Sequence, residues 1–195
     1  MINNLLLGGR ITTFIKDFDL LLSMNKDFLK LFFCGISILV IFDGSAQQTN
    51  AEIYDAAYSA YDDSNYEMAI GLLEKLVSSY QDNIEYHLII GICYSEIGDN
   101  ALAIASYNRC LNIDTAFDQA YIQRGISYFS SGKNALAISD FKSAILINPD
   151  NPEVYLNMGT VMFDSGDQDG ACKQWKKANE LGLEVANQMI NEICK

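Results

Sequence analysis

The sequence predicts an all-α chain: an α-solenoid of four helix-turn-helix repeats closed by a C-terminal capping helix. Three observations predict it. A 34-residue period runs through residues 50–185 without insertion, and self-similarity at such a period marks stacked two-helix units. Small residues recur within each period at spacings that suit two antiparallel helices in close contact. Only two prolines stand in 195 residues, so long stretches are free of helix breakers.

Residues 132–151 carry the pattern most clearly. Gly132 is followed by Ala137, Phe141 and Ala144, and the run stops at Asn148-Pro149. One period earlier Gly98, Ala103, Tyr107 and Cys110 take the same places, and one period later Gly166, Ala171, Trp175 and Ala178 do. Two periods earlier the set is Ser64, Ala69, Leu73 and Leu76. The first half of each period has its own marker. Tyr121-x-x-Arg-Gly125-x-x-Tyr128 recurs as Tyr155-x-x-Met-Gly159-x-x-Met162 and His87-x-x-Ile-Gly91-x-x-Tyr94, and more weakly as Ile53-x-x-Ala-Ala57-x-x-Ala60.

In the third unit this spacing predicts helix A over 119–130, a turn at Ser131-Gly132 and helix B over 134–146. The stop follows from Pro149, because a residue before proline disfavours the α region. Gly125 and Ala137 let the two helices approach, and Phe141 packs over the pair. One pair cannot bury its apolar stripe alone, so units 50–83, 84–117, 118–151 and 152–185 are expected to stack into a right-handed solenoid. Over 183–195, apolar residues at 186, 189, 190 and 193 share one helical face and read as a cap on the last repeat.

The first 46 residues differ. Met24 opens a short segment with Lys26 and Lys30, then Leu31–Phe42 is an uncharged apolar run, then Gly44 and Ala46 stand three and one residues before Gln47. That order reads as a signal peptide over 24–46 cleaved after Ala46, as in bacterial export. The run is too short for an ordinary transmembrane helix; the alternative is an uncleaved N-terminal anchor. Phe33 is too bulky for the residue before a lipidated Cys34. Residues 1–23 read as an extension upstream of the true start at Met24. No stable membrane insertion is expected after cleavage. The export reading implies a periplasmic or envelope location.

The two half-period patterns together resemble the tetratricopeptide repeat family. The resemblance covers Asn50 to about Val185 in four registered units, of which the first departs most, with Ala57 for Gly and Leu73 for the aromatic residue. It implies a protein-binding scaffold whose A helices line a concave groove. On those helices the stripe at i, i+4, i+7 reads Tyr54, Tyr58, Tyr61; Leu88, Ile92, Ser95; Ile122, Ile126, Phe129; Leu156, Thr160, Phe163. Glu85, Glu96, Glu153 and Asp164 flank it. Relatives that hold the acidic tails of heat-shock chaperones place Lys, Arg and Asn there, and this stripe has none. An apolar floor with an acidic rim suits a hydrophobic helix or an extended peptide with basic flanks. Alternatively, part of the stripe is buried between repeats.

Four cysteines follow the signal segment. Cys110 stands where Ala144 and Ala178 stand later, and Cys93 follows Gly91, so both read as core. Cys172 and Cys194 lie 10 residues before and 12 after Gly182. Antiparallel helices about that glycine would bring them to heights of about 15 and 18 Å. They are therefore a possible disulfide stapling the cap, or two unrelated thiols.

Other functions find little support. Residues 47–195 hold 21 Asp+Glu and 9 Lys+Arg and carry the whole net charge of −12. That opposes binding to nucleic acid. The one histidine, His87, takes a place that Tyr121 and Tyr155 fill later and reads as packed between helices. Asp62-Asp63 and the set Asp164, Asp167 and Asp169 fall near A–B turns, where carboxylates favour helix N-termini. No catalytic constellation, metal-ligand spacing or phosphate loop is present, so neither enzyme activity nor a cofactor is expected. A protein or peptide partner is the leading expectation. Architectural self-association as a homo-oligomer is the alternative.

Overall fold

The computed structural model describes residues 49–194. Nine helices follow one another there: α1 Asn50–Asp62, α2 Tyr66–Ser79, α3 Ile84–Ile97, α4 Asn100–Ile113, α5 Asp118–Ser130, α6 Asn134–Ile147, α7 Pro152–Asp164, α8 Gln168–Glu180 and α9 Ala186–Ile193. No strand occurs among the described residues. Residues 24–46, read as a signal peptide, and residues 1–23, read as an extension, lie outside the described residues. Each helix packs on its neighbours in the chain, from α1 on α2 through to α8 on α9. The result is a helical solenoid.

The A–B turn is one device used four times. The backbone N–H groups of Asn65, Asp99, Lys133 and Asp167 donate to the carbonyls of Ala60, Tyr94, Tyr128 and Met162 at 2.8–2.9 Å. The chain reaches that bond through a left-handed residue: Gly98, Gly132 and Gly166 at φ of 91°, 71° and 88°, and Ser64 at 58°. The next helix is then capped by a side chain. Asn65, Asp99 and Asp167 accept from the N–H groups of Met68, Leu102 and Gly170, which satisfies otherwise orphaned donors. Lys133 holds the same place before α6 and makes no side-chain cap.

Close approach within each pair rests on size. A Cβ on Gly91, Gly125 or Gly159 would lie 2.5, 2.7 or 2.6 Å from the ring of Tyr107, Phe141 or Trp175. Those three rings are fully buried. In the first repeat a Cβ returns at Ala57 and the facing ring shrinks to Leu73, and both are buried. The departure noticed in the sequence is thus a matched exchange of volume. Cys93, Cys110, Ala144 and Ala178 are all buried in the core.

At the C-terminus Gly182, at φ 95°, turns the chain back. Met189, Ile190 and Ile193 of α9 pack with buried Ala186 against Tyr155, Ala171, Trp175 and Ala178. Gln168 Nε2 donates to the Ile193 carbonyl at 2.7 Å. Cys172 and Cys194 come together here as a disulfide, their Cα atoms 5.6 Å apart. No described helix is long and apolar enough to cross a membrane.

Candidate functional site

The A helices α1, α3, α5 and α7 present the candidate surface. Among them α3 touches α5 and α5 touches α7.

The stripe is only partly surface. Tyr54, Tyr58, Tyr61, Leu88, Ile92, Ile126, Phe129 and Leu156 are half-buried. Phe163 is 43% exposed and its ring lies 5.7 Å from that of Trp175. Ile122 is a correction. It is 4% exposed and sits in the core with Ala137, Phe141 and Val154, because its position on α5 faces the seam between the third and fourth repeats. On α5 the stripe reaches the surface through half-buried Ile126 and Phe129.

The first two repeats contribute a run of tyrosines. Ring centroids are 4.5 Å apart for Tyr58 and Tyr54, 5.9 Å for Tyr54 and Tyr86, and 6.4 Å for Tyr86 and Tyr80. The Tyr54 and Tyr58 hydroxyls both donate to Oε1 of Glu85, an exposed carboxylate at the start of α3. Burial, then the hydrogen bond to Glu85, holds the Tyr58 phenol well above its usual range. Burial likewise raises Tyr61 and Tyr86.

Further along, Arg124 on α5 donates Nε and Nη2 to the two oxygens of buried Asp140 at 2.7 Å, and Nη1 to Asn108 Oδ1 at 2.6 Å. Its guanidinium also lies over Tyr121 and Tyr128, 5.4 and 5.8 Å from their centroids. Bidentate pairing and aromatic stacking suit arginine's planar fork.

Remaining polar groups are dispersed. His87 is half-buried, its Nε2 2.7 Å from the Gln81 carbonyl. It lines a cleft of about 820 Å3 with Glu74, Asp82 and Arg109, whose charges are mixed. Burial pushes the thiols of Cys93 and Cys110 up to about 11 and about 12, opposite to the shift that activates a nucleophile. No cluster of three or more metal-ligating side chains occurs among the described residues.

Comparison with known families decides the lineage. A family model described as Tetratricopeptide repeat matches residues 54–120, and one described as TPR repeat matches residues 125–166, together more than half of the chain. The chain belongs to the tetratricopeptide repeat family. Among solved structures this tetratricopeptide chain is similar to a crystal structure of MamA, at 25% identity and a TM-score of 0.66 over 74% of this chain and 84% of that one. It is also similar to TTC0263, a thermophilic TPR protein of Thermus thermophilus, at 17% identity and 0.63 over 76% and 81%. A MamA chain from Desulfovibrio magneticus RS-1 aligns at 16% identity and 0.65 over 69% and 76%. No curated protein matches by sequence.

Tetratricopeptide repeats are a scaffold for protein–protein interaction. Two features escaped the sequence reading. Tyr80 and Tyr86 lie off the i, i+4, i+7 stripe, although seven of the eleven tyrosines crowding into residues 54–94 is a compositional signal. Asp140 was hidden because a carboxylate on helix B ordinarily reads as solvated.

Proposed function

We propose that this chain is an exported, non-catalytic adaptor that takes a protein or peptide along its A-helix groove. The carrying observation is the stripe itself: half-buried tyrosines and aliphatic residues repeat on α1, α3, α5 and α7, ending at exposed Phe163. Side chains of this kind gain by being covered. The acidic flank formed by Glu85, Glu96, Glu153 and Asp164 favours a partner with basic flanks. The signal segment read at 24–46 supports delivery to the periplasm or envelope. Affinity capture from an envelope extract tests this, with Ile126→Glu and Phe163→Glu as variants. Loss of the partner in both, with helicity retained, supports the groove. If both variants fold and recover the same partners, the groove reading fails.

A second reading has its own observation. Met68, Leu102 and Leu136 stand one period apart at the third position of α2, α4 and α6, and are 52%, 44% and 48% exposed. This ladder on the B helices favours self-association. Light scattering tests it: a concentration-independent monomer mass argues against assembly.

A further inference from the structure

Glu85 accepts from two tyrosine hydroxyls and has no cationic partner among the described residues. The ion pairs among them are Arg124–Asp140 and Lys177–Glu180. Both tyrosine hydroxyls bond to Oε1 of Glu85, and no described residue donates to Oε2. The carboxylate is thus oriented but not neutralised. Beside it lie the half-buried rings of Tyr54 and Tyr58, with Tyr86 continuing the aromatic surface.

The same chain shows what such a set of groups binds. At Arg124, two tyrosines and one carboxylate hold a guanidinium. A cation over a tyrosine face is attracted by the ring quadrupole, and an adjacent carboxylate adds direct pairing. Net charge of −12 draws cationic partners to the whole surface.

We propose that Tyr54, Tyr58 and Glu85 form a subsite for one cationic side chain, arginine or lysine, of a partner peptide. This rests on the groove reading: the cation seats at the seam of the first two repeats while apolar side chains of the same peptide lie along Ile92, Ile126 and Phe129. Binding therefore falls with rising salt, because the pair is exposed.

The test uses the full-length chain and a random 12-residue peptide display library, followed by resynthesis of one selected peptide with arginine and with citrulline, its uncharged isostere. Expected are enrichment of Arg or Lys beside apolar residues and about ten-fold weaker binding of the citrulline peptide, a loss in the range of a cation–π contact plus an ion pair. Glu85→Gln should weaken the arginine peptide by a similar factor and leave the citrulline peptide unchanged. Glu85 is exposed, so this variant keeps the fold; Tyr58→Leu is a second arm read alongside circular dichroism. No cationic enrichment, or equal binding of both peptides to Glu85→Gln and to the parent chain, overturns the subsite. The groove fails separately: if Ile126→Glu leaves binding unchanged while Glu85→Gln weakens it, the cationic subsite stands and the extended groove does not. If no peptide is selected, both are overturned.

Discussion

Arg124 and Asp140 face each other across the third repeat with two parallel 2.7 Å contacts, their side chains only 17% and 8% exposed. With Nη1 on Asn108, the guanidinium ties helix B of one repeat to both helices of the next. Buried pairs of this kind cost much when halved and little when replaced whole. Asp140→Ala should therefore destabilise by about 3 kcal/mol, whereas Arg124→Met with Asp140→Leu should fall within about 1 kcal/mol of the parent. Urea unfolding of both variants checks the pair.

Lys133 breaks the capping rule that Asn65, Asp99 and Asp167 follow. Its ammonium instead lies 5.9 Å from the Tyr128 ring, a weak exposed contact. Lys133→Asp should place an acceptor at the start of α6 and raise stability by about 1 kcal/mol. A thermal melt raised by a few degrees is the expected result.

Tyr107 is fully buried and its hydroxyl has no hydrogen-bond partner among the described residues. Burial holds its phenol above the usual range. The equivalent places hold Phe141 and Trp175, so the ring is needed and the hydroxyl is not. Tyr107→Phe should be neutral to stabilising by about 1 kcal/mol, while Phe141→Ala should cost about 4 kcal/mol. Chemical denaturation separates the two: no loss of stability in the first variant and a large loss in the second.

The cysteines divide into a bonded pair and two core thiols. In a chain starting at Gln47, thiol counting under denaturing, non-reducing conditions should give Cys93 and Cys110 alone; four thiols would exclude the bond. Cys172→Ser should lower stability by roughly 3 kcal/mol, the entropic value for a closed loop of about this length. The core thiols also set an alkaline limit. They ionise near 8.5 when unfolded, but at about 11 and about 12 when folded. The folded chain then holds protons that the unfolded chain has released. Their contribution is complete below about pH 8.5 and is lost as pH rises through those folded values. Stability measured from pH 7 to 11 should fall at the alkaline end, and less so in Cys93→Ala.

The repeat was legible because its spacing is a packing rule. Gly125 and Phe141 belong together for volume, Gly132 for its left-handed φ, and Asn148-Pro149 for the stop, so each leaves a signal at a fixed distance. Even Ala57 with Leu73 follows the rule. The site was less legible. A stripe at i, i+4, i+7 finds a helix face but not its depth, which is why Ile122 is core whereas Phe163 is exposed. The Tyr54–Tyr58–Glu85 contacts join helices about thirty residues apart, as their 31- and 27-residue separations show. No period announces such a pairing.

The claim that partners bind along the A helices is tested most directly by site-specific photocrosslinking. A benzoylphenylalanine replaces Ile126, Phe163 or Leu136 in the full-length chain, in envelope extract. Binding along the A helices should give one crosslinked partner shared by positions 126 and 163 and none at 136, on the B-helix ladder. A partner captured at 136 alone would contradict it.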